Sequence, residues 1–152
     1  MARDPEFDLS KAHRYFSAFC FNAAWEFIEK PNRTPEEDEQ MIRLSQASIW
    51  HWTQRDDCKP ANLATGYWQA SRVHALAGHA EDARRYARLC LENTNKEEPF
   101  SHAYAYEALA RAEKVAGNAG LAAKHKAEAA RLAAAIEAAD DRKLLTDDLE
   151  TI

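Results

Sequence analysis

Two glycines 39 positions apart, Gly78 and Gly117, impose the strongest constraint on how this chain can fold. Each opens a stretch of the same layout. "GHAEDARRYARLCLE" and "GNAGLAAKHKAEAARLA" both place an alanine five residues after the glycine (Ala83, Ala122) and a further small residue seven beyond that (Cys90, Ala129). A period in this range is the mark of stacked helical units, none of which hides its apolar face alone.

The punctuation between segments agrees. Over Leu9–Lys30 the residues Ala12, Phe16, Phe19, Ala23 and Phe27 recur at helical spacing, which predicts a first helix with that face in the core. In "KPNRTPEED", Thr34 is an N-cap, Pro35 suits the first helical position and Glu37 completes a capping box. The second helix is predicted to run to about Gln54, carrying Met41, Leu44, Ala47, Ser48 and Trp52. A third occupies residues 61–77 and ends at Gly78, where a left-handed turn suits glycine. The fourth spans Glu81–Glu92, the fifth stops at Gly117, and an alanine-rich sixth reaches about Ala138. Asp140 or Asp141 is expected to cap a short seventh through Leu144, Leu145 and Leu149. No stretch alternates with a period of two, so no sheet is predicted. The expected architecture is all-α: three stacked antiparallel hairpins and a C-terminal capping helix, one domain over 8–152. Residues 1–7, "MARDPEF", are expected to be a disordered or cloning-derived tail.

Superposing the two glycines sets Tyr67 on Tyr106, Ser71 on Ala110, Arg72 on Arg111 and Ala83 on Ala122. With a large residue early in the first helix, small residues at the helix contact and an alanine in the second helix, residues 61–135 resemble a pair of tetratricopeptide-type repeats. Differences are visible: His74 and Glu113, and Ala87 and Lys126, stand where that family carries aromatics, and the period exceeds its usual length of about 34 residues. The whole chain also resembles uncharacterised bacterial proteins of this broad class. The resemblance implies a superhelix whose first helices line a groove that receives a peptide. It directs attention to Thr65, Trp68, Gln69 and Arg72 on the third helix and to Tyr104, Glu107, Arg111 and Lys114 on the fifth. Trp and Tyr offer stiff contact area and Arg a planar fork for carboxylates. The alternative use of the arginines is a buried network with Glu107. The family's Lys and Asn pattern for a terminal carboxylate is absent.

A second apolar face on the first helix, Tyr15, Ala18, Phe21, Trp25 and Ile28, needs a cover. Self-association through Phe21 and Trp25 is one source of it. A compact bundle with the seventh helix folded over the first hairpin is another.

Other function classes find little support. With a net charge of −5, the chain is not drawn to nucleic acid, and the strip Arg84, Arg85 and Arg88 is flanked by Glu81, Asp82 and Glu92. Cys20, Cys58 and Cys90 form no CxxC and read as free thiols of a reducing cytoplasm. No segment has the length and apolarity of a signal region or membrane span. His51, in "SIWHWTQ", lies between two tryptophans without a nucleophile motif, so no catalytic residue is assigned. His74 and His79 are five apart across a turn, and His13, His102 and His125 stand alone; no metal is expected. "PEEDE" lacks the glycine and alternating oxygens of a calcium loop. No phosphate-loop or dinucleotide motif occurs, so no cofactor is expected. The leading expectation is an adaptor that binds a protein or peptide segment; the alternative is a small-molecule sensor or enzyme with a pocket near His51, Trp52, Arg72 and Glu107.

Overall fold

Proline opens three helices at the position where the missing N–H costs nothing, and glycine closes two where the backbone must turn left. The computed structural model describes residues 6–152; the rest of the predicted tail, residues 1–5, lies outside the described residues. Asp8 caps the first helix, its carboxylate accepting from the Lys11 amide at 3.0 Å.

Seven helices follow: α1 (Leu9–Ile28), α2 (Pro35–Thr53), α3 (Pro60–Leu76), α4 (Ala80–Asn93), α5 (Pro99–Val115), α6 (Ala119–Ala133) and α7 (Ala139–Glu150). No strand occurs among the described residues. The capping box at Thr34 and Glu37 is formed in both directions. Gly78 and Gly117 adopt φ of 79° and 80°, and in both turns the amide two residues after the C-cap reaches back into the helix: His79 N donates to His74 O and Asn118 N to Glu113 O, each at 2.9 Å. The sixth helix ends at Ala133, short of the predicted Ala138, and α7 takes Ala138 as its N-cap with Asp140 and Asp141 inside the first turn.

Each helix packs on the next, and α1, α3, α5 and α7 also pack on one another in sequence. The even helices stay apart at the backbone, and Tyr86 of α4 reaches Gln46 of α2 only through its hydroxyl, which donates to Gln46 Oε1 at 3.2 Å. The fold is therefore a helical stack with the odd helices forming one close inner layer. Its middle is built of small residues: Ala70, Ala83, Ala87, Ala103, Ala105, Ala110 and Ala112 are fully buried. Such side chains let backbones approach closely, but each removes little apolar area from water. The volume is completed by polar groups, with Ser17, Ser45, Ser48, Gln69 and Glu107 fully buried.

The first helix is rotated from the predicted face. It buries His13, Ser17, Cys20 and Ala24, and leaves Phe16 and Phe19 41% and 47% exposed. The reason is a close α1–α2 seam of serines, where Ser48 Oγ donates to the Ser17 carbonyl at 2.7 Å. Aromatic rings would hold the two helices apart, so they turn outward. On α2 the buried set is correspondingly Met41, Ser45, Ser48 and Ile49, while Leu44, Ala47 and Trp52 are half-buried. The last helix caps the open end against α5 and α6 rather than folding over the first hairpin.

Candidate functional site

Because α3 and α5 lie side by side in the inner layer, residues one helical turn apart on each meet across the seam. Glu107, without solvent exposure, is the node. Arg72 donates to its Oε1 at 3.1 Å, Arg111 Nε to the same oxygen at 2.7 Å, and the Trp68 indole to Oε2 at 3.2 Å. Two cations and an indole thus neutralise one buried carboxylate, the arrangement a carboxylate needs to remain charged out of water. The Arg72 guanidinium also lies 5.3 Å from the Trp68 ring centroid. Aromatic rings run along the same layer: Trp25 to Trp68 at 5.8 Å, Trp68 to Tyr104 at 5.6 Å and Tyr104 to Phe100 at 4.9 Å.

The layer is not empty. Its polar side chains converge on Asp148–Thr151 at the end of α7. The Tyr104 hydroxyl donates to Asp148 Oδ2 at 2.9 Å, and Arg72 lies 3.5 Å from Asp148 Oδ1. Arg111 Nη2 donates to the Asp148 carbonyl at 3.1 Å and to Thr151 Oγ1 at 2.8 Å, and Lys114 Nζ to the Thr151 carbonyl at 2.8 Å. Burial, then the Asp148 carboxylate, hold the Tyr104 hydroxyl far above its ordinary pKa, so it stays a proton donor. Beneath these contacts Leu145 and Leu149 pack into a cluster with Tyr104, Ala129, Ala133 and Ile136.

Of the eight residues singled out in the sequence, six meet here: Trp68, Arg72, Tyr104, Glu107, Arg111 and Lys114. Both arginines bind the buried Glu107, as the network alternative has it, and both also reach α7. Gln69 is corrected. It is fully buried and donates to the Phe21 carbonyl at 2.9 Å, so it ties α3 to α1 and faces no groove. Thr65 is exposed and bonds the Ala61 carbonyl of its own helix. Sequence reasoning missed Asp148 and Thr151; the only local signal was the Leu145–Leu149 pair one turn apart.

Phe21 and Trp25 are half-buried, Trp25 by its contact with Trp68. The exposed aromatic surface of the first hairpin lies elsewhere, on Tyr15 (60% exposed), Phe16, Phe19 and, from α2, Trp50 (55%). Beneath it His13 and His51 face each other, their Nδ1 atoms 2.8 Å apart, so His13 does not stand alone. Desolvation, and secondarily His13, lower the His51 pKa. The pocket imagined between His51, Arg72 and Glu107 is not assembled. His51 touches α1 at His13 and Phe16, whereas α1 meets Trp68, beside Arg72, at Trp25, roughly 13–18 Å further along the helix at 1.5 Å per residue.

Compared with known proteins, the sequence matches no family model, and no curated protein or solved structure aligns with it significantly.

Proposed function

We propose that this domain is a protein-interaction module of tetratricopeptide type, acting by binding rather than catalysis, whose inner layer receives a helical segment of a partner in place of α7. One observation carries the reading: four donors from two helices, Arg72, Tyr104, Arg111 and Lys114, converge on a single short segment, Asp148–Thr151. That set recognises an acidic side chain and the carbonyls at a helix C-terminus, with apolar room for two leucine-sized residues one turn apart. A partner helix with this chemistry competes with α7 for the same donors. The three free thiols suit a cytoplasmic setting, and burial pushes the Cys90 thiol up to about 12, which makes it inert rather than nucleophilic.

Exchange tests the reading. In the full chain, Leu149→Asp is expected to release α7 while circular dichroism retains the helicity of α1–α6. A labelled peptide of residues 139–152 should then bind saturably in trans, at least about tenfold more tightly than to the native chain, where the tethered copy holds the groove at high effective concentration. Adding Arg111→Gln should weaken that binding. Absence of saturable binding to the folded, released variant would sink the groove reading.

The exposed Tyr15, Phe16, Phe19 and Trp50 favour a second contact, with another copy of the chain, displaced from the Phe21 and Trp25 of the sequence reading. Sedimentation of the native protein against Phe19→Ser decides it: an unchanged monomer mass in both rejects the dimer.

A further inference from the structure

The turn at Gly78 brings together three side chains that the groove does not use. His74 lies in the last turn of α3, His79 is the N-cap of α4, and Asp82 lies in its first turn. The Nδ1 atoms of His74 and His79 are 3.4 Å apart and Asp82 Oδ2 is 3.9 Å from His74 Nδ1; the three ligating atoms all lie within 4.8 Å of one another. A separation of 3.4 Å exceeds the 2.7–3.2 Å typical of an N–H hydrogen bond. Two imidazole nitrogens bound tetrahedrally to one zinc ion, each at 2.0–2.1 Å, sit about 3.3 Å apart. The spacing suits a shared ion better than a shared proton. The His79 side chain also makes no capping bond to α4, although the residue holds the N-cap position.

The equivalent turn, 39 residues on, supplies the contrast. There Glu113 and Asn118 replace the two histidines and Leu121 replaces Asp82. Asn118 donates to Glu113 Oε2 at 2.8 Å, and Arg84 donates to both Glu113 oxygens at 3.1 and 2.8 Å. On the same backbone, one turn is closed by ordinary hydrogen bonds, while the other directs two imidazole nitrogens and a carboxylate at a common point.

The surroundings permit an ion. His74 is buried and its ring stacks on Tyr86 at 5.5 Å and 6°, which fixes its orientation, while His79 and Asp82 are exposed and leave a path from solvent. Glu39 of α2 acts on His74 with favourable sign for a cation and Arg85 of α4 with the opposite one.

We propose that His74, His79 and Asp82 form a binding site for one divalent transition-metal ion of the zinc type, held by two imidazole nitrogens and one carboxylate oxygen, with water completing the tetrahedron. Its effect is to pin the end of α3 to the start of α4, and it is independent of the groove.

Titration of the metal-free full chain with zinc chloride, by calorimetry, tests it, together with cobalt(II) chloride followed by visible absorption. The native chain should bind one zinc ion, and its melting temperature should rise with zinc. His79→Ala and Asp82→Asn, both at exposed positions and checked for native circular dichroism, should lose at least about tenfold in affinity. His13→Ala and His125→Ala should bind as the native chain does. Bound cobalt should show tetrahedral d–d bands without a thiolate charge-transfer band. Three results would overturn the site: no saturable one-to-one binding, undiminished binding by folded His79→Ala and Asp82→Asn, or a thiolate band, which would place the ion on a cysteine.

Discussion

The two ends of the stack solve the problem of a terminal face in opposite ways. At the C-terminal end α7 covers α5 and α6, buries Leu145 and Leu149, and turns Asp148 onto Arg72 and Tyr104. At the N-terminal end no described residue covers the outer face of α1, and Tyr15, Phe16 and Phe19 face outward over a seam of serines and a histidine pair. Both ends bury polar groups. The C-terminal end encloses a carboxylate paired with two arginines and an indole, whereas the N-terminal seam uses hydroxyls and imidazoles, which cost less to bury, with only the Arg55 guanidinium donating to Ser17 Oγ at 2.9 Å.

The largest effect is expected from Glu107→Ala, which takes from Arg72, Arg111 and the Trp68 indole the fully buried acceptor they share. Removing one member of a buried ion pair typically costs about 3–5 kcal/mol. Urea unfolding measures it, and a loss below about 1 kcal/mol would show the node to be wetter than its full burial implies. Charge reversal at Arg72 and Arg111 follows the same logic: both face Glu107, so Arg72→Glu with Arg111→Glu is expected to destabilise the fold as well as abolish binding.

A smaller effect belongs to the histidine seam. The folded pKa of His51 lies below its ordinary value, so as pH falls through about 6.5 the unfolded chain takes up a proton that the folded chain does not. Stability should be fully present above that pH and decline beneath it, towards the folded pKa. His74 and His125 are shifted in the same direction and share the dependence. His51→Asn should therefore flatten melting temperature against pH only in part, and an unaltered profile would remove the seam from the account.

The smallest change in stability is expected at the outward aromatic face. Phe19→Ser replaces a 47% exposed ring and should alter unfolding free energy by no more than about 0.5 kcal/mol. A loss of about 2 kcal/mol or more would mean that the ring is covered in solution, and would erase the contrast between the ends.

The helices and their turns were legible because glycine and proline act through backbone geometry that needs no tertiary context: Gly78, Gly117, Pro35, Pro60 and Pro99 stand where the turns and helix starts are. The orientation of α1 was not. Periodicity assigns the largest apolar side chains to the core, while the choice between Phe16 with Phe19 and Ser17 with Cys20 was made by how closely α2 approaches. The inner-layer residues could be located through the repeat, since Arg72 and Arg111 occupy equivalent positions. Their occupant could not, because Asp148 is one of two adjacent aspartates and only the fold distinguishes it from Asp147, which pairs with the exposed Lys143.

Contacts that run mostly from each helix to the next one or two in the chain, with Arg72 to Asp148 the long exception, also bear on time. Little chain must be closed before each contact forms, which favours rapid folding, and a disturbance at one end need not reach the other. Amide hydrogens of α1 are thus expected to exchange through openings of the first hairpin that leave α5, α6 and α7 closed, so that the molecule frays from its serine seam inward and the segment holding Asp148 to Tyr104 and Arg111 is among the last to exchange.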